Sequence, residues 1–210
     1  MGDWYGRAKR ITAGAGQSMG PGGTRKLVVH AEGVNRADPD PVALANYQLQ
    51  HGGAYHFIVA LHGKHAGQVV QLLPASRGAY AMGGYADKLG WSLNRYGSRC
   101  IQVSVAGVTS APDWSKLSPK ARLAWLRLLR WIKREHGVPM VTPKGVRWDH
   151  AQHVSKRKWA KRSGVFNHGS APYNTHTDGP GHGIPLGVVR KGQEQKPLTR
   201  MIRRNKRNAR

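Results

Sequence analysis

Three short runs constrain this chain most: Leu27–His30 within RKLVVHAEG, Ala54–Leu61 (AYHFIVAL) and Cys100–Val108 (CIQVSVAGV). Each is rich in β-branched or aromatic residues, and each is too short for a helix that must bury itself, so each reads as a buried strand. Gln68–Leu73 follows the second run across a turn at His62–Gly67 and reads as its hairpin partner. Helical periodicity separates the strands. Asp38-Pro39-Asp40-Pro41 supplies a stop-and-start signal, Val42, Ala45 and Leu49 recur at helical spacing, and Gly52–Gly53 ends the segment. The strongest helix opens at Ser118-Pro119, with Ser as N-cap and Pro at the first helical position. It carries Ala121, Ala124, Trp125, Leu128 and Ile132 on one face, and Gly137 with Pro139 stops it. Strands alternating with helices define an α/β class, a single mixed β-sheet flanked by helices.

At 210 residues the chain supports one domain. Its expected organisation is an irregular Gly-rich leader over 1–24, a catalytic-size domain over 25–187 and a basic tail over 188–210. The balance of 34 Lys+Arg against 10 Asp+Glu gives a formal net charge of +24, a field that attracts polyanions such as nucleic acid, anionic lipid or an acidic cell wall. The single cysteine, Cys100, rules out an intramolecular disulfide and a cysteine zinc cluster; its apolar neighbours mark it as a buried, inert thiol. No apolar run approaches the ~18 residues of a membrane span. The first residues lack a continuous apolar stretch of the signal-peptide kind, so the expected location is the cytoplasm of the producing cell. The expected oligomeric state is a monomer.

Chemistry concentrates in Gly164–Gly181, GVFNHGSAPYNTHTDGPG. Gly and Pro keep this segment in turns, and it presents His168, His176 and Asp178. Far upstream, the first strand ends on His30. Catalytic zinc takes three His or carboxylate ligands and keeps one position open for water, and these residues can supply such a set. Solvated loop histidines are the alternative reading, since the chain has eleven histidines.

His30 closing an apolar strand, YHFIV at 55–59, and the His-x9-Asp spacing inside NHGSAPYNTHTDGPG together resemble the zinc-dependent N-acetylmuramoyl-L-alanine amidase family. That family includes T7-lysozyme-like phage endolysins and peptidoglycan recognition proteins. The likeness spans about Leu27 to Gly181 and is nearest in flavour to endolysin amidase domains of actinobacterial phages, although HTDGPG here is one Gly longer than their HTDPG. The resemblance implies a Zn2+ cofactor held by His30, His168 and Asp178, with Tyr55 and His176 as catalytic residues that stabilise the oxyanion or pass a proton. A competing assignment makes His176 the third ligand. His56, which alternates to the opposite side of its strand from Tyr55, is expected not to be a ligand. The implied function is that of a phage endolysin hydrolysing the bond between N-acetylmuramic acid and L-alanine. It would accumulate in the host cytoplasm before reaching the wall. The basic tail and the insert near Lys156–Arg162 would contact anionic wall polymers.

Two departures from the family pattern stand out. Ser104 occupies the place of a glutamate in runs resembling IGIELVG, and GAYAMGG replaces the usual tryptophan–histidine pair after the hairpin. They keep open a non-catalytic peptidoglycan-binding protein of the same fold. A third class is a nucleic-acid-binding protein, in which Trp148 and Trp159 among Lys and Arg would form a stacking surface.

Overall fold

The computed structural model describes residues 2–12, 14, 23–32, 36–53, 55–82, 98–107, 114, 117–146, 148, 153–172 and 184–186. The described elements are β1 (Lys9–Arg10), β2 (Thr24–Ala31), α1 (Pro41–Gln50), β3 (Phe57–Ala60), β4 (Val69–Gln71), β5 (Ser98–Ala106), α2 (Pro119–His136), α3 (Lys156–Lys161) and β6 (Gly164–Asn167), the last running into a 3-10 turn at His168–Ser170. One six-stranded sheet has the order β1-β4-β3-β5-β2-β6. The β3–β4 hairpin is antiparallel, with Ile58 opposite Val70, and every other pairing is parallel. The α/β class with a single mixed sheet is therefore the observed architecture.

The two faces of the sheet differ. Leu27, Val29 and Ala31 of β2, Phe57 and Val59 of β3, Ile101, Val103 and Val105 of β5, and Val165 of β6 form one continuous core with Trp125, Leu128, Leu129 and Ile132 of α2. The period-2 alternation of the strands meets the 3.6-residue stripe of the helix there. On the other face the core is split. Val28, Cys100 and Phe166 pack with Trp159 of α3, while Ile58 and Ala106 pack with Leu44 and Ala45 of α1. Along β5 the residues between these two clusters on that face are Gln102 and Ser104, both fully buried.

Capping follows the sequence signals. Ser118 Oγ accepts from the Ala121 amide at 3.2 Å, and Gly137 closes α2 in the left-handed region at φ 63°. A Cβ there would lie 2.0 Å from the Arg25 guanidinium, which donates to the His136 carbonyl. Asp40 caps α1 by accepting from the Val42 amide at 2.8 Å.

Two expectations are corrected. The leader is not irregular throughout: residues 9–10 form β1 beside β4. The Tyr5 amide donates to Gln71 Oε1 at 2.7 Å, Gln71 Nε2 donates to the Asp3 carbonyl at 2.7 Å, and the Tyr5 ring lies 5.5 Å from that of Trp131. A buried glutamine amide at the end of β4 needs partners, and the leader backbone supplies them. The basic insert exposes Lys156, Arg157, Lys158 and Lys161 but not its tryptophans. Ser155 caps α3, and Trp159 is fully buried 4.9 Å from Phe166. Trp148 is half-buried and donates to Thr142 Oγ1 at 3.2 Å. A pair of exposed stacking tryptophans is thus absent from this segment.

Candidate functional site

The polar gap on the split face is the candidate site. β2 and β6 run parallel with Val29 opposite Asn167, so the next residue of each strand, His30 and His168, emerges at the same end of the sheet. Asn167 shapes the exit: its Oδ1 accepts from the Ser170 amide at 2.6 Å, which tightens the turn carrying His168. The two imidazole rings are 4.3 Å apart and both are buried. Tyr55, half-buried just ahead of β3, sets its ring 4.9 Å from that of His30. Strand β3 begins at Phe57 rather than Ala54, so Tyr55 stands in the connection from α1. The structure brings together His30, His168 and Tyr55. His176 and Asp178 lie outside the described residues.

Gln102 is a residue that the sequence analysis did not single out. Its Oε1 lies 2.7 Å from His30 Nε2. The amide oxygen can only accept, so His30 carries its proton on Nε2 and its lone pair on Nδ1. An imidazole oriented in this way by a carbonyl on its second nitrogen is suited to bind a metal. The available signal was the pair of polar residues, Gln102 and Ser104, in the otherwise apolar run Cys100–Ala106.

His56 is excluded from the site by its own bonds. Nε2 donates to the Arg77 carbonyl at 2.6 Å, and Nδ1 accepts from the Gln102 amide at 2.9 Å. Burial pushes its pKa down to about 4, so it is neutral at physiological pH with both nitrogens engaged.

Ser104 is directly opposite His30 in the β2–β5 register. Its buried hydroxyl has no partner among the described residues. It forms part of the lining of a cleft of about 460 Å3 together with Tyr55, Tyr47 and Gln48 of α1 or its approach, and Glu32, Asp38 and Asp40. The acids carry structural bonds as well: Glu32 pairs with Arg36 at 3.1 Å and Asp38 with Lys64 at 2.8 Å. The Lys64 ammonium holds the Asp38 carboxyl below the usual carboxylate range. Where the family pattern has a glutamate, this chain therefore offers a short hydroxyl at the cleft wall.

His30 and His168 fit a zinc ion by donor chemistry, since both are imidazoles and one is already fixed by its second nitrogen. No group of three or more His, Cys, Asp or Glu side chains suited to a metal occurs among the described residues. The candidates for a third ligand fall beyond them.

With this geometry in place, comparison with known proteins assigns the family. Residues 21–182 match the profile of Amidase_2, N-acetylmuramoyl-L-alanine amidase, and the chain belongs to that family. No curated protein matches the chain by sequence. Among solved structures it is similar to the Staphylococcus aureus hydrolase AmiA in complex with its ligand, at 12% identity over 87% of this chain and 74% of that one, TM-score 0.47. It is also similar to a mutant endolysin from Bacillus subtilis, at 20% identity over 63% of this chain and 80% of that one, TM-score 0.38. The catalytic domain of XlyA is similar at 19% identity over 63% and 79%, TM-score 0.37.

Proposed function

We propose that this protein is a zinc-dependent phage endolysin that hydrolyses the amide joining the lactyl group of N-acetylmuramic acid to L-alanine. The observation that carries the reading is the convergence of His30, His168 and Tyr55 at one end of the sheet, in a chain of the amidase family. In this reading 25–187 is the catalytic domain, and the monomeric enzyme waits in the host cytoplasm until lysis admits it to the wall.

His30, His168 and Asp178 would hold the zinc, with His176 the alternative third ligand. When bound, the ion supplies Lewis acidity to the scissile carbonyl and to the attacking water, whose pKa falls towards ~7. Gln102 keeps His30 in the tautomer that offers Nδ1. Tyr55 offers a phenolic hydroxyl to the developing oxyanion, and His176 assists it or passes a proton to the leaving amine. Ser104 cannot act as the carboxylate base of other branches, so proton transfer falls to Tyr55 and His176.

Suspended sacculi test the reading. Wild-type protein clears them, a chelator stops clearing, zinc restores it, and His168→Ala lowers the rate by about 100-fold or more. Clearing indifferent to the chelator contradicts the zinc reading, and bound sacculi that never clear indicate a recognition protein on the same fold. The basic tail over 188–210 and the segment near Lys156–Arg162 would add contacts to anionic wall polymers. Deleting residues 190–210 then lowers sedimentation with sacculi, most at low salt, and unchanged sedimentation removes the tail from the account.

A further inference from the structure

Helix α2 sets its buried residues and its cations on opposite sides, with the half-buried Leu123 and Leu126 lying among the cations. At 100° per residue, its buried residues Ala121, Trp125, Leu128, Leu129, Trp131, Ile132 and His136 fall within one arc of about 160°. Lys120, Arg122, Arg127, Arg130, Lys133 and Arg134 fall within the complementary arc, also about 160°, with no overlap. Lys120, Arg122, Lys133 and Arg134 are exposed. Glu135, the one acid of the helix, lies outside the cationic arc, where it accepts from the Gly2 amide at 3.1 Å. Arg134 pairs with Glu135 at 2.6 Å, and the exposed Lys120, Arg122 and Lys133 leave the outer face net positive. The cationic arc lies on the opposite side of the sheet from His30 and His168, because α2 covers the face formed by Leu27, Val29 and Val103.

We infer that the outer face of α2 docks a linear phosphate-bearing polymer of the bacterial wall, held behind the catalytic face. The inference rests on the peptidoglycan reading above, which places this polymer beside the substrate. Charge complementarity sets the class of partner: rows of guanidinium and ammonium groups suit a chain of phosphodiesters. Two features of the geometry select among polyanions. Trp125, Leu128 and Ile132 are fully buried against the sheet, and the outer face holds only the half-buried Leu123 and Leu126 among its cations, too little apolar surface to insert into a bilayer. A protein lying on a flat anionic surface through α2 would also turn its site away from that surface. Within a three-dimensional mesh, the polymer can occupy the back of the molecule while glycan and stem peptide approach the front.

The test uses the full chain, with co-sedimentation on sacculi retaining or stripped of their phosphate polymer, and a short soluble poly(glycerol phosphate) as probe. Lys120→Glu/Arg122→Glu/Lys133→Glu reverses the α2 face. Arg7→Glu/Lys9→Glu/Arg10→Glu at the β1 edge of the sheet, where all three are exposed, changes the net charge equally at residues given no part in wall binding. The α2 reversal is expected to weaken polymer binding at least tenfold and flatten its salt dependence, while the β1-edge reversal weakens it threefold at most. Both variants are checked for an unchanged far-UV spectrum and unchanged hydrolysis of a small soluble muramoyl peptide. Equal losses from the two reversals would overturn the docking face in favour of net charge alone. Equal binding of wild type to intact and stripped sacculi would overturn the polymer, as would tighter binding to duplex DNA or anionic vesicles than to the polymer. Failure of wild type to cleave the soluble peptide would count against the amidase reading alone, because binding is measured without turnover.

Discussion

Gln102 Oε1 meets His30 Nε2 at 2.7 Å, and that bond decides which nitrogen His30 presents. Gln102→Leu removes the acceptor and leaves the ring able to turn or to change tautomer. Zinc affinity, measured by competition against a chromogenic chelator, is then expected to fall about 10–100-fold, with Gln102→Glu retaining most of it. An unchanged affinity in Gln102→Leu would show that Gln102 packs beside the site without orienting it. His56 makes a different prediction. Its folded pKa of about 4 lies below its ordinary 6.5 because burial disfavours the imidazolium. The unfolded chain therefore binds a proton at a higher pH than the folded one. Stability contributed by the neutral ring is complete above pH 6.5 and is lost as pH falls from 6.5 towards 4, amounting to about 3 kcal/mol. Denaturant titrations between pH 7 and 4 should show this decline in wild type and a shallower one in His56→Gln. Identical slopes would mean that His56 is protonated in the folded state.

At the scale of elements, the legible parts were those with a local cause. The β2, β3 and β5 strands announce themselves as branched apolar runs, and α2 by its Ser-Pro start, its stripe and its Gly stop. The placement of β1 and of α3 was not legible, because each depends on a remote partner. Lys9–Arg10 is a strand only because β4 lies alongside, and the leader docks because Gln71 is buried and needs polar partners. Trp159 looks like a surface aromatic among cations until Phe166 and Val28 cover it. Lys26 shows the same effect. It is a charged residue in a strand, yet it is fully buried, with its ammonium 5.3 Å from the Trp159 ring and its pKa pushed down by burial to about 8. The site was legible in part. His30 and His168 could be paired from the family pattern, whereas Gln102 becomes visible only once β5 is set in parallel register beside β2.

The whole molecule is a sheet with two unequal sides. One side is sealed by α2 in a continuous apolar core. The other divides its core and leaves a polar gap holding His30, Gln102, Ser104 and His168. Cations line the outer faces of α2 and of α3, while Glu32, Asp38 and Asp40 line the cleft together with Arg36. Three of the ten acids of this +24 chain gather around one cleft, where Glu32 pairs with Arg36 and Asp38 with Lys64. The most direct measurement is end-group analysis of digested sacculi. The account predicts new L-alanine amino termini that appear with zinc, vanish with chelator, and come without new reducing sugar ends. Reducing ends, or peptide termini other than L-alanine, would contradict the assignment of the cleaved bond.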